Sequence, residues 1–341
     1  MRILIVKMSS MGDVVHAQPL ATDLRRVFPD ARIDWVVENA FAPICRLNGA
    51  IDGIIPIAWR RWRRKPWVKG NREEMASFYR TLTHESYDLA LDCQGLIKSA
   101  AVTKMARAQV RVGPAWASAR EPAASVAYDR KAVIPRDWHV VRRNRAVGAA
   151  GGNYEIAWPP DFGLQAPPAD SESMPWLPEQ RYALLVTGAS RPEKLWPEAN
   201  WVSTARRLQQ AGLALVWFWG TEAERAQAER LSRLSEQAAG DSATPGAVPP
   251  FLTVADAAGV VARAEVVIGL DTGFTHLGGA LGRPTIAIFC DFDSVQCAVT
   301  GAGFCASFGG IGQVPPPGEI IDAIDRWLAA RGPAREQSPE S

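Results

Sequence analysis

The sequence predicts an α/β protein made of two similar halves, each a parallel β-sheet with helices on both faces. Short β-branched runs alternate with helical segments in the first part of the chain, and the same alternation begins again at residue 182. A proline-dense stretch without periodicity lies between the two parts. Repeated strand–helix–strand units are typical of parallel sheets. The length of 341 residues favours two domains over one.

The first half opens with the strand "RILIVK", and the segment after it has apolar residues at every third or fourth position, which predicts a helix. Four more runs are predicted to be buried strands. They are "RIDWVVE", "GIIPIA", "YDLALDCQG" and "QVRVG". We expect the first domain to span residues 1–160 and a proline-rich linker to span residues 161–181.

The second domain is expected over residues 182–331 and starts with the strand and turn "YALLVTGAS". "PEANWVSTARRLQQAG" predicts a helix, because proline stands in its first turn and glycine at its end. A further strand and helix follow, and a helix near 254–263 precedes a strand–helix–strand unit. Residues 332–341 are expected to form a disordered tail. Two such domains imply a ligand cleft between the carboxyl ends of their sheets.

The composition excludes several classes of protein. Apolar residues make up 47% of the chain and charged residues 22%, as in a soluble globular protein, and the net charge is only +2. The five cysteines are odd in number and form no CxxC pair, so we expect neither a disulfide framework nor a zinc site. We find no signal-peptide pattern and no apolar run of roughly 18 residues. These features predict a cytoplasmic protein without a membrane span.

The segment "VIGLDTGFTHLGGALG" predicts a strand followed directly by a helix. Asp271 is well placed as the helix N-cap, and the N–H groups of Thr272 and Gly273 would be available to a ligand. His276 lies one turn after Thr272, so hydroxyl and imidazole share a face. This combination suits a diphosphate. The alternative is an Asp-capped helix with an incidental histidine.

The turn "TGASRPEKLWP" follows another predicted strand and carries Thr187, Ser190, Arg191 and Lys194. A lysine in such a turn can neutralise a leaving phosphate without a metal ion, although it can equally be a solvated loop residue. Glu224 lies just beyond the next strand, where a carboxylate can accept hydrogen bonds from ribose hydroxyls. The alternative is that Glu224 is an ordinary residue of a surface helix and binds no ligand.

An aspartate stands where the first strand turns into the first helix. A glycine-bearing turn of this kind usually offers N–H groups to a phosphate, but in "SSMGDVV" Asp13 takes that place. The helix dipole keeps such a carboxylate ionised, and Gly12 lets a substrate come close to the backbone. Asp13 is therefore either a helix cap or a general base that removes a proton from a substrate hydroxyl.

The segment 58–72, "AWRRWRRKPWVKGNR", is rich in arginine and tryptophan. Three interpretations are open: a solvated charged face, a nucleic-acid surface, or a lipid headgroup boundary with the rings of Trp59, Trp62 and Trp67 in the interface. Nucleic acid is disfavoured, because the net charge is almost balanced and no RNA-binding motif accompanies the patch. Bidentate arginines also suit an acceptor that carries phosphates and carboxylates.

Taken together, "ILIVKMSSMGDVVHAQP", "DCQGLIKSA", the turn Lys194-Leu195-Trp196-Pro197 and "DTGFTH" resemble the bacterial heptosyltransferases of lipopolysaccharide core synthesis. The motifs occur in the same order through nearly the whole chain. "RRWRRKPW" and "SAREPAAS" resemble in particular heptosyltransferase I, which adds the first heptose to Kdo-lipid A. The resemblance implies the GT-B architecture, in which two Rossmann-like domains face a central cleft.

The resemblance also implies a reaction. The N-terminal domain would bind the acceptor, Kdo2-lipid A, and the C-terminal domain would bind ADP-heptose. L-glycero-D-manno-heptose would pass to the Kdo with inversion at the anomeric carbon. We assign no residue of the chain to a metal ion. ADP-heptose is a substrate, so no cofactor is implied. The enzyme would work on the cytoplasmic face of the inner membrane as a peripheral protein and would bind no nucleic acid.

Roles for individual residues follow from the same resemblance. Asp13 would be the catalytic base. The residues expected to bind the donor are Thr187, Ser190, Lys194, Glu224, Asp271, Thr272, Gly273 and His276. The residues expected to bind the acceptor are Ser9, Ser10, Gly12, Arg60, Arg61, Arg63, Arg64, Lys98 and Arg120.

Two stretches depart from the family pattern. The loop before Lys194 often carries a histidine and paired threonines in the family, whereas this chain has Thr187-Gly188-Ala189-Ser190. A Gly-Pro-Thr stretch after a late strand is replaced by Cys290-Asp291-Phe292-Asp293.

Three alternative functions stay open. Heptosyltransferase II, which acts on a core that already carries a heptose, is the nearest. A non-catalytic protein that binds anionic lipid would explain the basic segment but not the pairing of Asp13 with Asp271-Thr272-Gly273. An NAD-dependent oxidoreductase would need G-x-G-x-x-G at the first turn, which "SSMGDVV" lacks.

Overall fold

The structure is a computed structural model that describes residues 1–166, 174–189, 191–240 and 246–331, and the chain divides into two compact units. Unit 1 contains Met1–Pro168, Thr253–Ala262 and Val295–Cys297. Unit 2 contains Ala169–Leu252, Arg263–Ser294 and Ala298–Ser341. The middle of the expected linker, 167–173, and the expected tail, 332–341, lie outside the described residues.

Unit 1 is built on a six-stranded sheet. Its strands are β1 (Arg2–Val6), β2 (Arg32–Glu38), β3 (Gly53–Ile57), β4 (Ser86–Asp92), β5 (Arg107–Pro114) and β6 (Arg130–Ala132). All neighbours pair in parallel, in the order β3-β2-β1-β4-β5-β6. The five strands predicted from the sequence are confirmed. β6 was not predicted, because it has three residues and buries only Ala132.

The first half of the chain forms six α-helices within the described residues. They are α1 (Met11–Val27), α2 (Ala42–Arg46), α3 (Trp59–Arg64), α4 (Lys69–His84), α5 (Ile97–Met105) and α6 (Val140–Gly152). The predicted helix after the first strand is α1, whose inward residues Val14, Ala17, Leu20 and Leu24 are fully buried.

Unit 2 is built on a second parallel sheet. Its strands are β7 (Tyr182–Val186), β8 (Ala214–Phe218), β9 (Val266–Leu270), β10 (Thr285–Phe289) and β11 (Cys305–Gly309), in the order β11-β10-β9-β7-β8. β7 to β10 confirm predicted strands. β11 was not predicted, because "CASFG" contains no β-branched residue and is only half-buried.

The second half of the chain contributes five helices. They are α7 (Glu198–Gln210), α8 (Glu222–Ala239), α9 (Val254–Arg263), α10 (Gly273–Ala280) and α11 (Pro317–Ala330). All but α11 correspond to predicted helices. The residues of α9 up to Ala262 belong to unit 1, although they lie in the second half of the sequence. The α/β architecture with two parallel sheets is therefore confirmed.

The central strands of both sheets are buried on both faces, as expected when helices cover a parallel sheet, whereas the edge strands β3, β6 and β11 are partly exposed. In β1, Ile3, Leu4, Ile5 and Val6 are fully buried. In unit 2 the core also takes up four of the chain's 13 tryptophans. They are Trp196, Trp201, Trp217 and Trp327, each at most 2% exposed. Part of the unusual tryptophan content therefore serves packing.

A buried ion pair joins α1 to α6. The fully buried Asp23 accepts hydrogen bonds from Arg145 Nε at 2.6 Å and Nη2 at 3.1 Å. It also accepts one from Trp158 Nε1 at 2.6 Å. A buried charge needs such complete pairing, because neither partner can recover its hydration.

Replacing Asp23 by alanine would leave the Arg145 guanidinium buried without its counter-charge. We expect Asp23→Ala to lower the free energy of unfolding by about 3–5 kcal/mol, measured by urea denaturation. The control is Asp161→Ala, which removes an exposed aspartate 3.9 Å from Arg26 and should cost less than about 1 kcal/mol. Equal effects of the two variants would contradict this account.

Candidate functional site

In unit 1, several of the predicted acceptor residues and the predicted base lie at the carboxyl edge of the sheet, where the parallel strands end together. Hydrogen bonds join the loops that follow β1 and β4: Met8 N–H donates to Gln94 Oε1 at 2.9 Å, and Gln94 Nε2 donates to the Ser9 carbonyl at 3.0 Å. Lys98 Nζ donates to Ser9 Oγ at 3.1 Å. The sequence-predicted Ser9 and Lys98, 89 positions apart in the chain, are thus direct neighbours.

Asp13 is the third residue of α1, and Ser10 is the N-cap. The N-cap interpretation of Asp13 is therefore wrong. Its Oδ2 accepts hydrogen bonds from Ser10 N–H at 2.9 Å and from Ser10 Oγ at 3.0 Å, and its side chain is 29% exposed. Gly12 precedes it within the first turn of the helix. The carboxylate is thus fixed at the helix start but remains accessible.

The charges around Asp13 keep it ionised. Burial alone would raise its pKa, but the Lys7 ammonium, the hydrogen bonds from Ser10 and the charge of Arg120 together lower the pKa below its usual value. Lys7 Nζ lies 3.4 Å from Asp13 Oδ1. Asp13 can therefore accept a proton throughout the neutral range.

Sequence reasoning did not identify Lys7, which lies one residue beyond β1 and is 4% exposed. Its ammonium donates to the Cys93 carbonyl at 3.0 Å and to Asn144 Oδ1 at 3.5 Å, in addition to facing Asp13. A signal was present, because a lysine that ends an otherwise apolar, fully buried strand needs a partner within the fold.

Cations are concentrated beside Asp13. Burial and the nearby charge of Arg60 lower the pKa of Lys98, while Glu38 and Asp13 act in the opposite direction. Glu38, at the end of β2, accepts a hydrogen bond from the Arg60 backbone N–H at 3.1 Å, and burial raises the pKa of this carboxyl group. This edge of unit 1 can therefore attract an anionic group.

The basic segment forms α3 and the start of α4, and its tryptophans do not form one surface. Trp62 is only 7% exposed, packs edge-on against Phe78 and donates its Nε1–H to Glu74 at 3.0 Å. Trp59 is half-buried, whereas Trp67 is 74% exposed. The expectation that all three rings lie in an interface is therefore wrong, because the hydrophobic core needs Trp62.

The predicted arginines of this segment make different contacts. Arg61 pairs with Glu74 in a short contact, and the Arg60 guanidinium lies 5.9 Å from the centre of the Phe41 ring. Arg63 and Arg64 are exposed on the surface of α3. Arg120 is exposed beyond β5 and lies close enough to influence both Asp13 and Lys98.

In unit 2, three predicted donor residues form one cluster at the carboxyl edge of the sheet. Asp271, which follows β9, accepts a hydrogen bond from Lys194 Nζ at 2.5 Å and lies 3.1 Å from His276 Nε2. Burial opposes ionisation, but His276 and Lys194 lower the pKa of Asp271 to about 2. Asp271 is not the N-cap of α10; Thr272 is, and Gly273 is the first helical residue. Asp271 is held instead by its contacts with Lys194 and His276.

Two more predicted donor residues follow β7 and β8, which are neighbouring strands of the same sheet. Thr187 is completely buried after β7, and within the described residues its hydroxyl has no hydrogen-bond partner. Glu224 Oε2 accepts hydrogen bonds from Gly220 N–H at 2.8 Å and Thr221 N–H at 2.9 Å, so it closes a capping box at the start of α8. Its Oε1 lies against Gly188, where an added Cβ would come within 2.5 Å. Ser190 lies outside the described residues.

The stretch that departs from the family pattern contacts the same loop. The Phe292 ring centre lies 4.7 Å from Lys194 Nζ, which is cation–π geometry. Arg191 Nη2 lies 3.4 Å from Asp291 Oδ2. The loop after β10 thus orients two cations of the loop after β7.

Within the described residues, no group of three or more His, Cys, Asp or Glu side chains is arranged to hold a metal ion. Among the helices of the same residues, none has both the length and the apolar character needed to cross a membrane.

Comparison with known proteins gives a consistent result. Residues 75–302 match the model of glycosyltransferase family 9 (heptosyltransferase). The lipopolysaccharide heptosyltransferase 1 of Salmonella typhimurium is 37% identical over 290 residues, which is 85% of this chain and 88% of that protein. The protein of the same name from Escherichia coli K12 is 37% identical over 299 residues, with the same coverage. The structure of E. coli heptosyltransferase WaaC with ADP has a TM-score of 0.82 at 32% identity and covers 96% of this chain and 99% of that one.

Proposed function

The chain belongs to glycosyltransferase family 9, the heptosyltransferases, and we propose that it transfers L-glycero-D-manno-heptose from ADP-heptose to the Kdo of Kdo2-lipid A. It is a glycosyltransferase of the GT-B type. The proposed acceptor is that of heptosyltransferase I, the name carried by relatives 36–37% identical to this chain.

The observation that carries the proposal is the state of Asp13. An accessible carboxylate is held ionised at the carboxyl edge of unit 1, next to the cations Lys98 and Arg120. A sugar acceptor with phosphates and carboxylates would bind to those cations and bring a hydroxyl group to the carboxylate. This arrangement supports a base for glycosyl transfer more than a surface that only binds lipid.

In the proposed reaction, Asp13 takes the proton of a Kdo hydroxyl. The hydroxyl oxygen then forms a bond to the anomeric carbon of the heptose as the bond from that carbon to the β-phosphate oxygen breaks. The electron pair of the broken bond leaves with ADP. Attack from the side opposite the leaving group inverts the anomeric configuration. Asp13 finishes the step protonated and later returns the proton to water.

We assign the donor to the carboxyl edge of unit 2. Lys194 would neutralise the charge that develops on the departing diphosphate, and Asp271 would keep Lys194 and His276 in place through its two oxygens. The buried hydroxyl of Thr187 would gain a partner from a phosphate oxygen. A relative's structure with ADP-2-deoxy-2-fluoro heptose, 31% identical, supports this class of donor.

We assign membrane contact to the exposed part of the basic segment. Trp67 is 74% exposed and Val68 is 42% exposed, and exposed cations surround them. An aromatic ring with neighbouring cations suits the headgroup region of an anionic membrane. The protein would then act as a peripheral protein on the cytoplasmic face of the inner membrane.

The function is tested by incubation with ADP-heptose and Kdo2-lipid A, with mass spectrometry of the lipid product. We expect one added heptose, and no reaction with an acceptor that already carries the first heptose. The reverse preference would indicate heptosyltransferase II.

Asp13→Asn keeps the shape of the side chain but cannot take the proton, so turnover should fall about 100-fold or more while ADP binding is retained. Near-normal turnover of the folded variant would remove Asp13 from the mechanism.

Binding of ADP should raise the melting temperature, because a ligand that binds only the folded state stabilises it. Lys194→Ala should weaken this shift, and so should Asp271→Ala, because Asp271 positions two of the groups proposed to contact the diphosphate. Asp13→Ala serves as the control and should leave the shift unchanged. If both variants of unit 2 kept the full ADP shift, the nucleotide would bind elsewhere.

Replacing Arg60, Arg61, Arg63 and Arg64 together by glutamine should raise the acceptor KM by about tenfold while ADP binding stays intact. The difference from wild type should shrink at high salt, because part of the attraction is screened. The matched control replaces four exposed arginines of unit 2 by glutamine, namely Arg206, Arg230, Arg233 and Arg326. Unchanged acceptor kinetics in the α3 variant, with loss of RNA binding, would contradict the assignment to the acceptor.

A further inference from the structure

Lys7 is a buried ammonium group that no step of the proposed reaction uses. Only 6% of its side chain is exposed, and it lies directly beneath the site at the end of the central strand β1. Burying a lysine is unfavourable unless its charge is compensated and its N–H groups are bonded. Lys7 is nevertheless buried in this fold, so the groups that its ammonium contacts indicate its role.

The ammonium has three neighbours within hydrogen-bonding or ion-pair distance. The Cys93 carbonyl at 3.0 Å and Asn144 Oδ1 at 3.5 Å are neutral acceptors that come from the end of β4 and from α6. Asp13 Oδ1 at 3.4 Å is the charged one. The two neutral acceptors hold the Lys7 ammonium in the protein interior, and the Asp13 carboxylate is the anionic group that it contacts.

We propose that Lys7 is a positioning residue for the transfer reaction, whose ammonium holds Asp13 ionised and fixes its orientation while Asp13 remains open to the acceptor. The two oxygens of Asp13 are then held from two sides. Ser10 donates to Oδ2 through its N–H and its hydroxyl group, and Lys7 faces Oδ1 from the interior. Because Lys7 is buried, the acceptor does not displace it when it binds.

Other charged groups also act on Asp13, and they differ from Lys7 in exposure. Arg120, from the loop after β5, lowers its pKa, and Lys98 from α5 lies within electrostatic reach. Glu38 from β2 acts on Lys98, and the Cys93 thiol beside β4 is close enough to Lys7 to be affected by its charge. Arg120 and Lys98 face the edge where an anionic acceptor would neutralise them. Lys7 is thus the cation whose effect on Asp13 persists when the acceptor is bound.

The test uses the full chain with Lys7→Met, which keeps an unbranched side chain without charge, and Lys7→Gln, which keeps a hydrogen-bond donor and serves if the Met variant does not fold. The Asp13 carboxyl is followed by carbon-13 NMR, and its signal is assigned with Asp13→Asn. The acid limb of kcat/KM against pH is measured in parallel. Without the ammonium, the desolvation of Asp13 is less compensated, so both the titration midpoint and the acid limb should move up by at least about one pH unit.

The control is Asn144→Ala, which removes a neutral partner of Lys7 and leaves its charge. This variant should leave the Asp13 midpoint within about 0.3 pH unit of wild type, whereas Lys7 variants should not. A purely structural role of Lys7 would lower the melting temperature and leave the midpoint in place. In the Asp13→Asn background, Lys7→Met should cause no further loss of kcat, because Lys7 acts through Asp13.

This inference rests on the proposed function, and the two can fail separately. An unchanged Asp13 midpoint in both folded Lys7 variants would overturn the role of Lys7, whatever the activity shows. A raised midpoint with an unmoved acid limb would uphold the action of Lys7 on Asp13 and would remove Asp13 as the base.

Discussion

Parallel strand pairing is the constraint on which both sites depend. In a parallel sheet every strand ends at the same edge, so residues far apart in sequence meet there without long connecting loops. In unit 1, Val6 at the end of β1 pairs with Asp92 at the end of β4 and with Val36 in β2. This register brings the turn after Val6 against the turn after Asp92, which is how Ser9 reaches Lys98. In unit 2, Val186 of β7 pairs with Gly269 of β9, so the loop that carries Lys194 starts beside Asp271.

Each edge holds a carboxylate against a lysine, but the exposure of the two pairs differs. In unit 1 the lysine is buried and the carboxylate is open: the side chains of Lys7 and Asp13 are 6% and 29% exposed. In unit 2, Lys194 and Asp271 are 13% and 12% exposed, and Lys194 comes from a loop. An open carboxylate with a buried counter-charge suits proton removal from a substrate. A lysine of similar exposure to its carboxylate, placed on a loop, can turn towards an incoming phosphate. The two ion pairs thus differ in exposure, because only in unit 1 is one partner, the carboxylate, clearly more exposed than the other.

The sequence was sufficient to predict the two-sheet architecture but not the side-chain contacts of the site residues. The strands β1 to β5 and β7 to β10 were predictable because β-branched runs alternate with helical periodicity. β6 and β11 were not, because one is three residues long and the other lacks β-branched residues. The motif residues were found through resemblance. The contacts of Asp271 with Lys194 and His276 depend on tertiary structure, and local capping rules wrongly predicted Asp271 as the N-cap of α10. Lys7 was missed although it directly follows a buried strand, because the sequence does not show which groups its ammonium contacts.

The two stretches that depart from the family pattern make specific contacts in unit 2. At position 188 an added Cβ would come within 2.5 Å of Glu224 Oε1, so a larger residue would press on the carboxylate that caps α8. After β10, Asp291 and Phe292 supply an ion pair and an aromatic face to the cations Arg191 and Lys194. These contacts can hold the lysine of the donor loop where other side chains would otherwise do so. These contacts keep a positive charge at the carboxyl end of β7, which is the placement that the proposed departing diphosphate would require.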